Sequence, residues 1–391
     1  MDDATYQAEE DARVLGRRLG LSRRQLLAAT TGMAAAAVLG LGAGTAHAAP
    51  GNGKGNGNPG GNSAGNANGV LIPPGKRGII LYTVRDAISR NPDTTDLPSG
   101  FKQVLKHLAD IGYKQIEFAG FSQHANAEGG NVNNVAGAHL LRSWLDDFGL
   151  EAAGNHGSIP SNMSQASIDQ FDAQCEIANI LGFPHIGTGN DPTSSAYLAD
   201  WQAAAERWNF YGERAASHGL KLYTHNHDAA YSFLLDSGPL DGLGRPTRST
   251  GLRRLEWFLQ NTDPNYVYLE MDVYWAHVAQ YKFQSFTAPD GTVVQNVFDP
   301  AGLVAQQTTR FPLFHAKDGT RRPDLANGYD FAPFGTGVID YKSFFQRIGA
   351  KGYHNSMYEQ DNAASVPGPA SPGLSLQNAA VSYQNMAALR G

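Results

Sequence analysis

The residues best suited to chemistry lie in one short stretch of the chain, Leu222–Asp228, which reads LYTHNHD. An apolar run that ends at Tyr223 predicts a buried strand, and this strand leads directly into His225 and His227. Imidazole and carboxylate groups bind metal ions and carry protons. Parallel sheets place such groups at the carboxyl ends of their strands. The stretch therefore predicts one part of a site that other strands must complete.

The elements that position these residues follow a regular alternation. From residue 77 onward, eight strand-like segments alternate with helix-like segments. A glycine lies between helix and strand at five joints, namely Gly112, Gly149, Gly182, Gly219 and Gly352. This pattern predicts a (β/α)8 barrel, the TIM barrel, in a single α/β domain. An open doubly wound sheet is the alternative, but no Gly-x-Gly-x-x-Gly segment follows a strand and opens a helix.

Two connections are longer than a barrel needs. They span residues 234–249 and 280–300. The second contains Pro289-Asp290-Gly291-Thr292, which indicates a turn. It predicts either a hairpin over the mouth of the barrel or a plain surface loop.

Polar residues also end the other strands, and a barrel would bring them together. The predicted second strand carries Glu117, and the third ends at His156. The sixth, seventh and eighth end at Asp272, His315 and Glu359. With the fifth strand, four successive strands offer His, Asp, His and Glu at one face. This mixture suits Mn, Co, Zn or Fe better than Mg or Ca.

Five segments, in order, resemble the sugar phosphate isomerase/epimerase family of the xylose-isomerase-like barrel superfamily. They are Gly78–Asp86, Tyr223–Asp228, Met271–Trp275, His315–Asp318 and Glu359–Asp361. The resemblance covers about residues 78–390 and implies one divalent metal ion held at the ends of strands five to eight. Carried onto this chain, the ligands are His225, Asp272, His315 and Glu359. His227 is the alternative on strand five, because it shares the strand parity of His225.

One position departs from the pattern of the family. Many sugar epimerases of the superfamily have a glutamate where this chain has His225, and that glutamate forms an acid/base pair with the one on strand eight. Only Glu359 remains here. The resemblance implies a metal-dependent isomerase or epimerase that abstracts a proton next to the carbonyl of a keto-sugar or polyol. A keto-sugar or inosose dehydratase, a 3-keto-glycoside lyase and a non-catalytic sugar-binding barrel are the alternatives.

The remaining candidate residues receive roles from this chemistry. The candidate catalytic residues are Glu359, His156 and Glu117 as proton carriers and Lys317 as a stabiliser of an oxyanion. The candidate substrate contacts are His227, Trp275 and Arg85. Two alternatives remain open, since Trp275 is equally consistent with wall packing and Glu117 with a structural salt bridge to Arg85.

The first 49 residues resemble a twin-arginine export signal. Arg23 and Arg24 precede an uncharged Ala/Gly/Leu run, and Ala46-His47-Ala48 fits the small-x-small cleavage rule. A transmembrane anchor is the alternative, but the run is only weakly apolar. The signal predicts a protein exported by the twin-arginine route to the medium or the cell envelope.

The residues after the signal define the predicted domain. Residues 50–76 are rich in Gly and Asn and predict a flexible linker, so the barrel is expected over 77–391.

The single cysteine, Cys175, excludes an intrachain disulfide. The net charge of −6 gives no electrostatic case for binding nucleic acid, which also argues against an apurinic endonuclease on the same barrel. We expect a carbohydrate as substrate, one divalent metal ion as cofactor and no stable membrane insertion once the signal is removed.

Overall fold

Eight parallel strands form a closed barrel in the computed structural model, which describes residues 69–349, 352–365 and 371–391. Each strand pairs with its neighbours along the chain, and β1 closes the barrel against β8. The strands are β1 (Arg77–Ile80), β2 (Gln115–Phe118), β3 (Glu151–Gly157), β4 (His185–Thr188), β5 (Lys221–Thr224), β6 (Val267–Asp272), β7 (Leu313–Ala316) and β8 (Asn355–Tyr358). The predicted (β/α)8 barrel is confirmed.

Helices surround the barrel and bury apolar side chains against it. They are α1 (Arg85–Ile88), α2 (Gly100–Ile111), α3 (Val135–Phe148), α4 (Gln165–Leu181), α5 (Leu198–Ser217), α6 (Arg254–Asn261), α7 (Val273–Lys282), α8 (Pro300–Gln306), α9 (Tyr341–Ile348) and α10 (Leu374–Ala388). Three of the five predicted glycine joints are the capping residues of helices, since Gly112, Gly149 and Gly182 end α2, α3 and α4 with positive φ. The other two helices end earlier, at His218 before Gly219 and at Gly349 before Gly352. Within the described residues, no helix has the length and apolar character needed to cross a membrane.

Both long connections form antiparallel hairpins. Residues 237–240 pair with 246–248, and residues 285–287 pair with 293–295. The hairpins touch, because the Ser249 amide donates to the Thr287 carbonyl at 3.0 Å and the Phe233 and Phe286 rings lie 4.8 Å apart. Residues 280–300 therefore contain a hairpin and are not a plain loop. A third hairpin, residues 318–321 with 329–332, was not predicted.

The barrel interior is built in levels. Alternate residues of a strand share a face, so Tyr268, Glu270 and Asp272 of β6 reach three successive depths. The lower part of the interior contains an apolar cluster of Ala153, Tyr223, Tyr268, Leu313 and Met357. Polar side chains lie above it, toward the carboxyl ends of the strands. The apolar floor thus supports a polar upper half of the barrel.

The packed part of the chain begins before residue 77. Leu71 and Ile72 are buried, and the Leu71 amide donates to the Leu389 carbonyl at 3.3 Å. These apolar side chains leave water by packing against the barrel, although they lie inside the segment predicted as linker. The predicted export signal and the rest of that linker fall in residues 1–68, outside the described residues, and remain predictions.

His185 gives the fold a predictable response to acid. It is buried in β4, its Nδ1 lies 3.0 Å from the Ala153 carbonyl, and burial lowers its pKa to about 4. Because the folded pKa is depressed, its contribution to stability is present above the unfolded pKa of 6.5 and is lost as the pH falls toward 4. We expect the free energy of unfolding to fall by about 2 kcal/mol from this group between pH 7 and pH 5.

Urea unfolding at both pH values tests this expectation. The loss between pH 7 and pH 5 should be smaller by that amount in His185→Gln, which keeps an amide donor but does not titrate. Equal losses in the variant and the original chain would contradict it.

Candidate metal centre

Four of the predicted ligands converge at the carboxyl end of the barrel, and we call them the upper cluster: His225, Asp272, His315 and Glu359. One ligand atom from each lies within 4.8 Å of the others, and all four residues are buried. His225 Nε2 lies 3.0 Å from His315 Nδ1 and 3.4 Å from Asp272 Oδ2. Glu359 Oε2 lies 2.6 Å from His315 Nδ1.

The local backbone holds these side chains in place. Asp272 ends β6 and caps α7, since its Oδ1 accepts from the Trp275 amide at 3.0 Å. The Asp272 amide in turn donates to Asn226 Oδ1 at 3.2 Å. The His225 amide donates to the Thr188 carbonyl at 3.1 Å, which continues the pairing of β4 and β5 by one residue. The strand ends therefore fix the direction of each donor.

Lys317 lies beside the upper cluster and connects its carboxylates. Its Nζ is 3.0 Å from Asp272, 2.8 Å from Glu359 and 3.0 Å from Asp361, and its side chain is only 2% exposed. Burial alone would lower the Lys317 pKa, but the three carboxylates raise it well above its ordinary value. The ammonium therefore stays charged among them.

The other titratable groups of the upper cluster divide into charged and neutral forms. Burial would raise the pKa of Glu359, but Lys317 and His315 hold it well below its usual range. Burial opposes protonation of His315, yet Glu270 and Glu359 raise its pKa well above its ordinary value. Burial and His315 together lower the pKa of His225 well below its ordinary value. His225 is therefore a neutral imidazole.

Several polar atoms of the upper cluster lack hydrogen bonds, which tests whether a metal ion fits. Asp272 Oδ2, Glu359 Oε2 and His225 Nδ1 are buried without a well-directed partner. Lys317 approaches both carboxylate oxygens, but only as an ion pair. Two imidazoles and two carboxylates are the ligands that divalent transition metals prefer. The residues present therefore fit such an ion.

The sequence placed His225 and His227 on the same face, but the structure separates them. β5 ends at Thr224, so strand alternation does not extend to His227. The His227 side chain is 41% exposed, and its Nδ1 lies 3.7 Å from Asp191 Oδ2. Only His225 joins the upper cluster.

The predicted substrate contacts lie near the upper cluster. The His227 ring is 5.5 Å from the ring of Trp275, and Trp275 also packs against Phe331 at 5.9 Å, with 9% of its surface exposed. Arg85 is exposed, stacks over the Tyr82 ring at 3.8 Å and donates to the Asp361 carbonyl at 2.7 Å. It is thereby tied to the segment that follows β8.

Glu117 does not pair with Arg85, so the salt-bridge interpretation is wrong. Its side chain is fully buried, accepts from the Tyr223 hydroxyl and lies 3.0 Å from His315 Nε2. Burial and the charge of Glu270 raise the pKa of Glu117. Glu117 thus lies below the upper cluster and contacts it through His315.

His156 lies at the edge of this buried region. Its side chain is 14% exposed, and its Nε2 is 2.8 Å from Glu270 Oε2. Glu270 is not among the residues predicted for the site, although it precedes Asp272 by two residues and therefore shares its face. This shared strand parity could have identified Glu270 as a site residue. Its position within an apolar strand instead suggested part of the strand interior.

The structure is thus a closed parallel barrel whose strand ends gather side chains that could hold a metal ion. A family model for the xylose isomerase-like TIM barrel matches residues 105–371, more than half of the chain. The chain belongs to this family. Members of the family commonly bind a divalent metal ion, and the buried His, Asp and Glu groups described above can hold one.

Solved structures show the same fold. A sugar phosphate isomerase/epimerase from Parabacteroides distasonis aligns with a TM-score of 0.56 and 21% identity over 80% of this chain and 94% of its own. The probable 3-DHS dehydratase AsbF of Bacillus anthracis aligns with a TM-score of 0.52 and 13% identity over 79% and 97%. At these identities the likeness concerns the fold alone. No curated protein sequence matches the chain significantly.

Proposed function

We propose that the protein is an exported, divalent-metal-dependent sugar isomerase or epimerase that abstracts a proton next to a carbonyl of a keto-sugar or polyol. The observation that carries the proposal is the convergence of His225, Asp272, His315 and Glu359 at the carboxyl end of the barrel. Solved proteins with this fold include a sugar phosphate isomerase/epimerase and a dehydratase, and both names are consistent with chemistry beside a carbonyl.

The upper cluster would hold the ion, with Mn, Co, Zn or Fe favoured over Mg by its two imidazoles. Bound there, such an ion would polarise a carbonyl and acidify the adjacent C–H bond. The second carboxylate oxygen of Glu359 remains to accept the proton, because Oε2 faces His315 and Lys317. The Lys317 ammonium stabilises negative charge on the substrate oxygen next to it.

Geometry favours Glu359 among the three candidate bases. Glu117 is fully buried beneath the upper cluster and already contacts Tyr223 and His315. His156 is held through Nε2 by Glu270. Glu359 belongs to the ligand set and lies 2.8 Å from Lys317, so a substrate bound beside them would place its C–H within reach. His227, Trp275 and Arg85 are the proposed contacts for the rest of the substrate.

One observation favours elimination as a second candidate. A two-carboxylate epimerisation needs an acid/base group on each side of the substrate, and strand five offers only His225, a buried neutral imidazole. A dehydratase or 3-keto-glycoside lyase needs one base and a leaving group that a nearby cation stabilises, as Glu359 and Lys317 would provide. Both reactions begin with the same proton abstraction.

Exchange of the substrate's C–H in D₂O therefore tests the proposal before the product is known. Keto-sugars, 3-keto-glycosides and inosose would be incubated in turn with the protein and Mn²⁺ or Zn²⁺ and followed by NMR. We expect loss of the proton beside the carbonyl, with an isomer, an epimer or an enone as product. Binding of a sugar without exchange for any substrate would favour the non-catalytic barrel.

Export is tested separately through the predicted signal. Replacing Arg23 and Arg24 together by lysine is expected to retain the protein inside the producing cell, because the twin-arginine route reads that pair. Cell fractionation with immunoblotting measures the distribution. The neighbouring pair Arg17 and Arg18, changed in the same way, is the matched control and should leave export intact. Normal export of the first variant would contradict the assigned signal.

A further inference from the structure

A second group of donor side chains lies directly beneath the upper cluster, and we call it the lower cluster: Glu117, His156, Glu270 and His315. It draws on β2, β3, β6 and β7 and lies above the apolar floor of the barrel. Glu117, Glu270 and His315 are fully buried, and His156 reaches the edge with 14% of its side chain exposed. His156 therefore gives the lower cluster a route to solvent.

The donor atoms of the lower cluster lie close enough together to surround a small cation. His156 Nε2 is 2.8 Å from Glu270 Oε2 and 3.4 Å from Glu117 Oε1. His315 Nε2 is 3.0 Å from Glu117 Oε2 and 3.1 Å from Glu270 Oε2. Ligands bonded at about 2.1 Å to a tetrahedral ion lie about 3.4 Å apart. One ligand atom from each of the four residues lies within 4.8 Å of the others, so side-chain shifts would close all four donors around such an ion.

The charges in the lower cluster call for a cation. Within the described residues, neither Glu117 nor Glu270 forms an ion pair with lysine or arginine, and their partners are His156, His315 and the Tyr223 hydroxyl. Glu270 Oε1 is buried without a hydrogen-bond partner. Buried carboxylates are stable in a protein interior when they are paired or coordinate a metal. Lys317 contacts the upper cluster, whereas no lysine or arginine of the described residues contacts the lower one, which leaves His156 and His315 as its cationic partners.

His315 belongs to both clusters through its two ring nitrogens. Nδ1 faces His225 and Glu359, whereas Nε2 faces Glu117 and Glu270. One imidazole can therefore contact an ion on each side. Binding on both sides requires the ring to lose its remaining N–H proton, which passes to solvent as the second ion enters.

We propose that the lower cluster binds a second divalent ion, of the Zn, Mn, Co or Fe class, and that His315 bridges it to the ion of the upper cluster. The two-carboxylate, two-imidazole donor set defines this class of metal. The inference goes beyond the single ion of the proposed function. It assigns Glu117, His156 and Glu270 to metal binding.

Metal content distinguishes the two sites. The full chain would be stripped with chelator, loaded with Zn²⁺, freed of excess and measured by elemental analysis. We expect two ions per chain, one in Glu270→Gln and one in Asp272→Asn. His156→Gln, at the edge of the barrel, is a second route to loss of the lower ion that disturbs the interior less. Glu151→Gln, on an exposed position of β3, is the control that should keep two ions.

Mn²⁺ loading gives a spectroscopic readout, since two ions joined by one imidazolate should show a coupled EPR spectrum. Either single variant should remove that coupling.

The metal contents of the variants also decide against the proposal. One ion per chain that is lost in Asp272→Asn and kept in Glu270→Gln would overturn the second site and leave the proposed function intact. One ion that is kept in Asp272→Asn and lost in Glu270→Gln would support the lower site and contradict the upper one. Binding of no ion would overturn both.

Discussion

Asp272→Asn is expected to weaken divalent-metal binding at the upper cluster by more than about 100-fold. Removing a residue that only hydrogen-bonds to a metal ligand already lowers metal affinity by about 10- to 100-fold, and Asp272 is proposed as a ligand itself. The substitution keeps the volume of the side chain and an oxygen that can accept from the Trp275 amide, so α7 stays capped. It removes the negative charge of a fully buried group and replaces Oδ2 by a donor or a weaker ligand. Exchange of the substrate proton should fall with the metal.

A matched variant separates metal loss from helix capping. Asp340 caps α9 through the Ser343 amide at 2.9 Å and is exposed, away from the donors described above. Asp340→Asn should therefore bind metal as the original chain does. Isothermal titration with Mn²⁺ and Zn²⁺ after chelation measures both variants. An unchanged affinity for the upper ion in Asp272→Asn would remove Asp272 from the ligand set.

The fold and the upper cluster could be anticipated because both follow from strand order. Short apolar strands separated by helices and glycine joints define the barrel, and parallel strands necessarily gather their carboxyl ends at one rim. His225, Asp272, His315 and Glu359 lie at those ends, so their convergence follows from topology without any knowledge of side-chain contacts. Topology does not show that each of these residues binds a metal ion, and the metal titrations test that role.

Features that depend on three-dimensional packing could not be predicted from the sequence. Helix α7 buries Val273, Tyr274, Trp275, Ala276, Val278 and Ala279, so it shows no apolar stripe against a polar face. Glu270 lies in a level that most barrels fill with apolar side chains, and its partners, His156 and His315, come from two other strands. The choice between His225 and His227 depends on the residue at which β5 ends, which the sequence pattern does not show. None of these follows from local periodicity.

Lys317→Met is expected to reduce proton exchange by about 100- to 1,000-fold, the usual cost of removing one group that stabilises a developing oxyanion. Metal affinity should not fall with it. The Lys317 ammonium and a metal ion compete for Asp272 and Glu359, whose oxygens lie 3.0 and 2.8 Å from Nζ. Without the ammonium, both carboxylates remain for the ion, and its binding should be equal or tighter.

The same substitution should make stability depend on metal. Removing one partner from a buried ion pair costs about 3–5 kcal/mol, because the remaining charge is left uncompensated. Lys317→Met should therefore unfold at lower urea concentration in chelator and recover when Mn²⁺ or Zn²⁺ is added. Lys282→Met is the control, since Lys282 pairs with Asp228 at a side chain that is 30% exposed. It should change neither exchange nor the effect of metal on unfolding.

The combination of readouts decides what Lys317 does. If Lys317 only balanced the charge of Asp272, Glu359 and Asp361, then a bound divalent ion would restore both stability and exchange in Lys317→Met. If it stabilises the substrate's oxyanion, the ion restores stability and leaves exchange slow, because an ion held by the upper cluster does not take the position of Nζ. Full exchange in the metal-loaded variant would therefore assign Lys317 to charge balance and contradict its catalytic role.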